Sequence, residues 1–486
     1  MLFNSIEFVI FFIFCISVMV VIKHKKIQHI FLLIASYFFF YFSSNYLVSL
    51  LIFSTLLDFY VAKEIFKSTN PTKKKILLSV SLAGNLSLLG FFKYADFGIE
   101  QINSLSIMSE IPHLDLILPI GISFYTFQTI SYTVDVYRGK LTPSYSLGEF
   151  ALFVAFFPQL VAGPILRASH FLPQLREKIS LVGTGIKLRQ ITLQKNNIRL
   201  GLTFMALGFL KKMFFADNIA PFVNEIFQNT SNAESFTIIL GAIGFGVQIY
   251  GDFSGYSDIA IGAAIILGFR IPLNFNKPYF ATSPVDFWRR WHISLSAWLR
   301  DYLYIPLGGN KKSKSRTYVN LGMVMLLGGF WHGASWNFII WGLLHGSYLA
   351  IQKGLQDKFP GLKDHKFFNN TLGKVMSILI TQYIIFFTWL AFRIQDTDSL
   401  LLALYKYLVW DFKIEVTSLH IEHNPIPIAL IVGFFILNFI SYKQKNLPEK
   451  IANLKSIYWV TFLVWTVIMI LIMYAGDPME FIYFRF

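Results

Sequence analysis

Long apolar runs recur along the whole chain, and short basic clusters interrupt them at intervals. Several runs approach the roughly 20 residues a helix needs to cross a hydrocarbon core. The first, Ile6 to Ile22, has no basic residue before it and Lys-His-Lys-Lys at 23–26 after it. That reverses the charge order of a cleavable leader, so the pattern predicts a retained helix with its N-terminus outside. "IFLLIASYFFFYF" then runs outward, "YLVSLLIFSTLLDFYVA" returns, and "KEIFKSTNPTKKK" (63–75) falls inside, where basic residues are retained. "LRASHFLPQLREK" (166–178) and the stretch to Arg199 predict the longest cytoplasmic excursion, built of interfacial amphipathic helices. "NKKSKSR" (310–316), "KGLQDKFPGLKDHK" (353–366) and "YKQKNLPEK" (442–450) complete the inside set. The last run, Tyr458 to Ala475, brings the C-terminus outside. The expectation is an all-α polytopic protein of about 10–13 transmembrane or re-entrant helices. It forms one integral membrane domain over 1–486, with a motif-rich core about 118–350.

Composition narrows the classes further. The chain is 55% hydrophobic and 14% charged, against about 25% charged in soluble proteins, too little to cover a water-facing surface. No alternating pattern suggests a membrane barrel. The net charge of +15 reads as topology, because no soluble basic face offers itself to nucleic acid. The single cysteine, Cys15, sits in the first apolar run and excludes a disulfide framework or a cysteine-rich metal site.

Two inside-type basic runs, 310–316 and 353–366, bracket "GGFWHGASWNFIIWGLLHG". The chain therefore goes in and returns as a hairpin. From Thr317 to Phe330 a helix rises roughly 20 Å, short of the roughly 30 Å core, and Gly333 permits a break. His332 is thus placed within the membrane's thickness, where irregular backbone must be buried in protein or line a cavity. An intramembrane ionisable residue is by default functional. A neutral imidazole there suits general base catalysis. Trp331, Trp336 and Asn337 are candidates to exclude water and to supply oxyanion donors. The bland alternative is a histidine hydrogen-bonded to a neighbour as part of the core.

Metal binding is not expected. His332 and His345 would stand about 220° and 20 Å apart on one helix, and a His292–His332 pair lacks a third ligand. There is no GxSxG elbow and Cys15 has no polar neighbour, so direct transfer is expected over an acyl-enzyme.

Two further clusters carry polar groups. "VDFWRRWHISLSAWLRDYLYIPLGGN" (285–310) reads as one amphipathic boundary helix, with Trp288, Trp291, Leu295, Trp298 and Tyr302 at near-helical spacing and Arg289, Arg290, Arg300 and Asp301 as its polar groups. An aromatic belt with basic anchors explains it equally well. In "GVQIYGDFSGYSDIAIGAA" (246–264), Gln248 and Asp252 share one helical face, and Ser254, Asp258 and Gly262 another. The two carboxylates need partners, and Arg289 or Arg290 are natural ones. A scaffold of buried ion pairs is favoured there over catalysis.

Taken together, these stretches closely resemble the membrane-bound O-acyltransferase family, in its alginate O-acetylase-like branch. "LPIGISFYTFQTISYTVDVYRG" (118–139), "FPQLVAGPI" (157–165), "GLTFMALGFLKKMFFADNIA" (201–220) and the terminal "FIYFRF" extend the match over nearly the whole chain. The resemblance implies a ring of helices around a tunnel. His332 of "WHG" would be catalytic and His292 of "RRWHIS" the second functional histidine. It implies no bound cofactor and acetyl-CoA as cytoplasmic donor. The acceptor side would be an extracytoplasmic relay protein and glycan, alginate, cellulose or peptidoglycan, with D-alanyl transfer more distant. Gly251 stands where a cysteine is common in this branch, and a structural role is expected for that position. The location implied is the cell membrane, in contact with lipid. A transporter lined by the polar cluster is the competing class, although the chain lacks the internal symmetry of paired broken helices.

Overall fold

The computed structural model describes residues 1–22, 24–105, 110–143, 146–160, 163–183, 195–361, 365–474 and 479–482. Parts of the predicted cytoplasmic excursion, of "FPQLVAGPI" and of the terminal "FIYFRF" lie outside the described residues. Every regular element among those described is helical. Among the described residues, five stretches are long and apolar enough to cross a membrane: Ile27–Lys67, Pro71–Ser104, Ser235–Ile266, Thr371–Arg393 and Pro425–Lys443, with Ile6–Val21 and Ser456–Ile472 as shorter apolar helices.

Local chemistry sets the boundaries. Asn45, at φ 50°, divides the first of these stretches into Lys25–Ser44 and Val48–Lys67. At 20 residues each, these helices span about 30 Å, the thickness of the hydrocarbon core. Asn70 accepts from the backbone N–H groups of Thr72 and Lys73, and Pro71 opens the next helix, meeting two of the donors a helix start leaves unpaired. Ser313, Ser335 and Asn370 cap Lys314–His332, Trp336–Lys358 and Thr371–Arg393 in the same way.

By internal packing the chain divides into two units, Met1–Ala206 with Tyr256–Leu273, and Leu207–Gly255 with Asn274–Phe486. In the first, Val48–Lys67, Pro71–Ser104 and Ile122–Tyr137 pack on one another around a buried carboxylate. Asp58 accepts from Ser81 Oγ, from Thr133 Oγ1 at 2.7 Å and from Asn85 Nδ2 at 2.7 Å. Asn85 Oδ1 in turn accepts from Ser54 Oγ at 2.5 Å. This network satisfies polar groups that lipid could not.

The second unit is built on a helical hairpin, Lys314–His332 and Trp336–Lys358, joined by a turn through Gly333. The predicted hairpin and break are present, but its first helix starts at Lys314, three residues before Thr317 (317 minus 314). Its 19 residues reach about 28 Å. Glycines bring the two backbones together. A Cβ on Gly342 would lie 2.5 Å from the Met325 carbonyl oxygen, and one on Gly346 3.0 Å from Gly322 Cα. Thr371–Arg393 packs against the returning helix, and Trp291, Trp341, Trp389 and Phe287 fill the core of this unit.

Candidate active site

The segment read as one boundary helix is broken in two. Ser283 accepts from the Asp286 N–H and starts Pro284–Arg290, with Pro284 in its first turn; a second helix follows at Ile293–Leu299. Between them His292 adopts the left-handed conformation, φ 42° and ψ 56°, which costs a side-chain-bearing residue about 1–2 kcal/mol. Tryptophan spacing carried no sign of this corner. A π-helical turn, Arg300–Tyr304, then ends the segment.

The corner leaves His292 unable to cap the helix it precedes, and Asn274 does so from another part of the chain. Its Oδ1 accepts from the Ser294 N–H at 3.2 Å and from Ser294 Oγ at 2.8 Å. The same oxygen lies 3.2 Å from His292 Nδ1. A backbone N–H only donates, so this Asn274 atom is the carbonyl oxygen and His292 Nδ1 must carry the proton. Nε2 is then the lone-pair nitrogen. Phe253 stands perpendicular to the His292 ring at 4.7 Å.

His332 is the last residue of Lys314–His332 and is 4% exposed. Its ring meets Trp331 at 5.0 Å, Trp341 at 5.0 Å and Phe392 at 5.1 Å. Trp331 also reaches His292, at 6.4 Å between rings. One indole therefore contacts both histidines that the sequence singles out.

His345 lies on the returning helix and not on the helix of His332, so the one-helix separation does not hold. The Trp341 ring stands between them, 5.0 Å from His332 and 4.5 Å from His345. Trp288 Nε1, a donor only, donates to His345 Nδ1 at 3.3 Å. The opposite nitrogen of His345 donates to Thr388 Oγ1 at 3.0 Å, and Thr388 passes its own proton to the Ile385 carbonyl. Both nitrogens of His345 are thus committed, to Trp288 and Thr388, and the ring so held packs on Trp341, which His332 also meets.

The other candidates separate. Trp336 is 52% exposed at the start of its helix. Asn337 donates to the carbonyls of Ile394 at 2.6 Å and Gln395 at 2.8 Å, and accepts from Thr397 Oγ1. Its amide protons therefore tie down a turn. Arg289 is exposed, and Arg290 pairs with Asp286 at 2.9 Å. The arginines are not the partner of Asp252. That partner is Lys212, at 2.8 Å, which spacing could not reveal. Gln248 and Asp252 do share a face, lining a cavity of about 40 Å³ with Lys212, Asp217 and Asn224. Asp258 belongs to the other unit and is half-buried. A Cβ on Gly251 would come within 3.0 Å of the Lys211 carbonyl oxygen and 3.2 Å of Ala216 Cβ, so this position is set by close packing.

Sequence reasoning missed Asn274 and Trp341. The indole N–H of Trp341 is buried with no hydrogen-bond partner among the described residues, beside the His332 ring. An unmet buried donor costs about 1–3 kcal/mol, and such a donor is suited to charge that develops only during reaction.

Comparison with known proteins identifies the family. Residues 139–392, which hold His292, Trp331, His332 and Trp341, match MBOAT, the membrane-bound O-acyltransferase family. The probable alginate O-acetylase AlgI of Azotobacter vinelandii is 36% identical over 93% of this chain and 88% of its own length. That of Pseudomonas aeruginosa is 36% identical over 91% and 82%. The peptidoglycan O-acetyltransferase of Helicobacter pylori is 38% identical over 79% and 74%. With the family pattern covering both histidines and relatives matched nearly end to end, the chain belongs to the membrane-bound O-acyltransferase family.

Proposed function

We propose that this membrane O-acetyltransferase takes an acetyl group from acetyl-CoA on the cytoplasmic side and delivers it to a hydroxyl of an extracytoplasmic glycan, through a relay protein. The carrying observation is the pair of buried imidazoles on one indole, His332 at 5.0 Å and His292 at 6.4 Å from Trp331. His332 takes the proton of the relay protein's attacking hydroxyl as its oxygen bonds to the acetyl carbon. The carbon–sulfur bond breaks, and the proton passes to the departing thiolate. The glycan hydroxyl later displaces the relay's oxygen from the ester so formed and receives the acetyl group. Positioned base catalysis of this kind contributes about 10²–10⁴ in rate. His292, with Nδ1 committed to Asn274, presents Nε2 to hold the acceptor hydroxyl. The Trp341 N–H supports the oxyanion. Relatives named for alginate and peptidoglycan O-acetylation support a glycan hydroxyl as acceptor. The basic runs support a cell-membrane placement with both termini outside, and the exposed apolar helices a lipid surround.

The test seals purified protein into lipid vesicles with labelled acetyl-CoA on the cytoplasmic face and glycan fragments with candidate relay proteins on the other. Label should cross with the wild type and fall by at least 10² with His332→Ala, at equal folded protein. Equal crossing by the variant would remove His332 from the reaction.

A further inference from the structure

A π-helical turn, Leu210–Ala216, turns Lys212 inward, and its side chain is 2% exposed. Three acceptors surround its ammonium group: Asp217 Oδ1 at 2.8 Å, Asp252 Oδ1 at 2.8 Å and the Glu480 carbonyl at 3.3 Å. The second oxygen of Asp252 accepts from the Ile482 N–H at 2.7 Å. The C-terminal segment is therefore held by its own backbone at two points, one on each partner of a buried ion pair. Gly255 lets the two helix backbones approach, since a Cβ there would lie 2.8 Å from the Gly208 carbonyl oxygen and 3.0 Å from the Lys212 backbone nitrogen.

Between those two points sits Phe481, with no exposed surface. Its ring meets Phe253 at 5.5 Å, and Phe253 stands on His292 at 4.7 Å. Burying a charge cluster is costly compared with apolar packing. Apolar packing alone, however, would let a short segment slide, whereas two backbone bonds to fixed charges set its register.

We propose that Lys212 and Asp252 are positioning residues for acyl transfer: they clamp residues 480–482 so that Phe481 backs Phe253 and Phe253 holds the His292 ring. This rests on the reading of His292 as part of the reaction site.

The test uses full-length protein in detergent, with Cys15→Ala removing the single cysteine and Ile482→Cys reporting on the segment by its rate of maleimide labelling. Ile482 is 6% exposed, so labelling starts slow. Lys212→Met should speed labelling at least tenfold and lower kcat for thiol release from acetyl-CoA at least tenfold, with KM within twofold. Lys212→Arg should restore both. Phe481→Ala, which leaves the clamp intact, should lower kcat while labelling stays slow. It also serves if Lys212→Met fails to fold. Unchanged labelling in Lys212→Met overturns the clamp. Fast labelling with unchanged kcat, or full activity of Phe481→Ala, overturns the positioning role. A wild type that releases no thiol would instead sink the acetyl-CoA reading, while labelling still reports on the clamp.

Discussion

Replacing Asn274 by alanine isolates the contribution of one oxygen. Asn274 Oδ1 serves three donors: the Ser294 N–H, the Ser294 hydroxyl and His292 Nδ1. All of them are buried, His292 with no exposed surface and Asn274 with 1%. Losing a helix cap costs about 0.5–2 kcal/mol, and stranding a buried donor costs about 1–3 kcal/mol. The Ser294 hydroxyl can rotate to a new partner, so the expected loss of stability is about 2–3 kcal/mol. The catalytic effect is separate. The bond to Nδ1 holds one tautomer with about 0.5–1.5 kcal/mol, and 1.4 kcal/mol corresponds to about tenfold in rate. Transfer per folded molecule should fall about tenfold. Asn274→Asp, which keeps an acceptor oxygen at that place, should recover most of the rate. The assay is thiol release from acetyl-CoA per folded enzyme, beside thermal unfolding in the same detergent. A variant destabilised as expected but transferring at the wild-type rate would refute the tautomer argument, since the oxygen would then serve the fold alone.

Other changes separate chemistry from packing. Trp341→Phe keeps a ring on His332 but removes a buried N–H, and should lower kcat by about 10² without loss of thermal stability; an unchanged kcat would exclude the indole as oxyanion donor. Gly342→Ala presses a methyl group onto the Met325 carbonyl at 2.5 Å and should cost about 1–3 kcal/mol, read as a lower midpoint of thermal unfolding. Asn85→Ala withdraws a donor from buried Asp58 and should cost about 2–3 kcal/mol, leaving kcat of the folded fraction unchanged. Thr388→Val strands the Nε2 proton of His345 and should raise susceptibility to protease at 336–358 before it affects KM.

Much of the fold follows from patterns local in sequence. Apolar length gave the spans, basic runs gave the hairpin around "WHG", and Asn70-Pro71, Ser313 and Ser335 carry cap chemistry visible in the residues themselves. His332 at the hairpin end followed from the glycine after it. What could not be read were pairings set by packing. Arg290 satisfies Asp286 one turn away, and a basic residue far back in the chain, Lys212, takes Asp252. Asn274 carries no motif, because its role is fixed only when Ser294 is brought to it. The corner at His292 was hidden for a related reason: tryptophans at helical spacing continue across it, yet the main chain reverses hand. Asn337 had the right residue type for an oxyanion donor, but the turn at 394–397 claims its amide.

The left-handed corner at His292 also bears on how its importance is measured. An alanine at φ 42° and ψ 56° still pays the steric penalty of a Cβ, about 1–2 kcal/mol, but has lost the side chain that Asn274 held in place. Part of any defect in His292→Ala would then be relaxation of the corner and of the helix behind it. Asparagine tolerates this conformation better than most residues, and glycine adopts it freely. Comparing His292→Asn and His292→Gly with the alanine variant separates the cost of a displaced backbone from the cost of a missing imidazole. A truncation scan alone would merge the two.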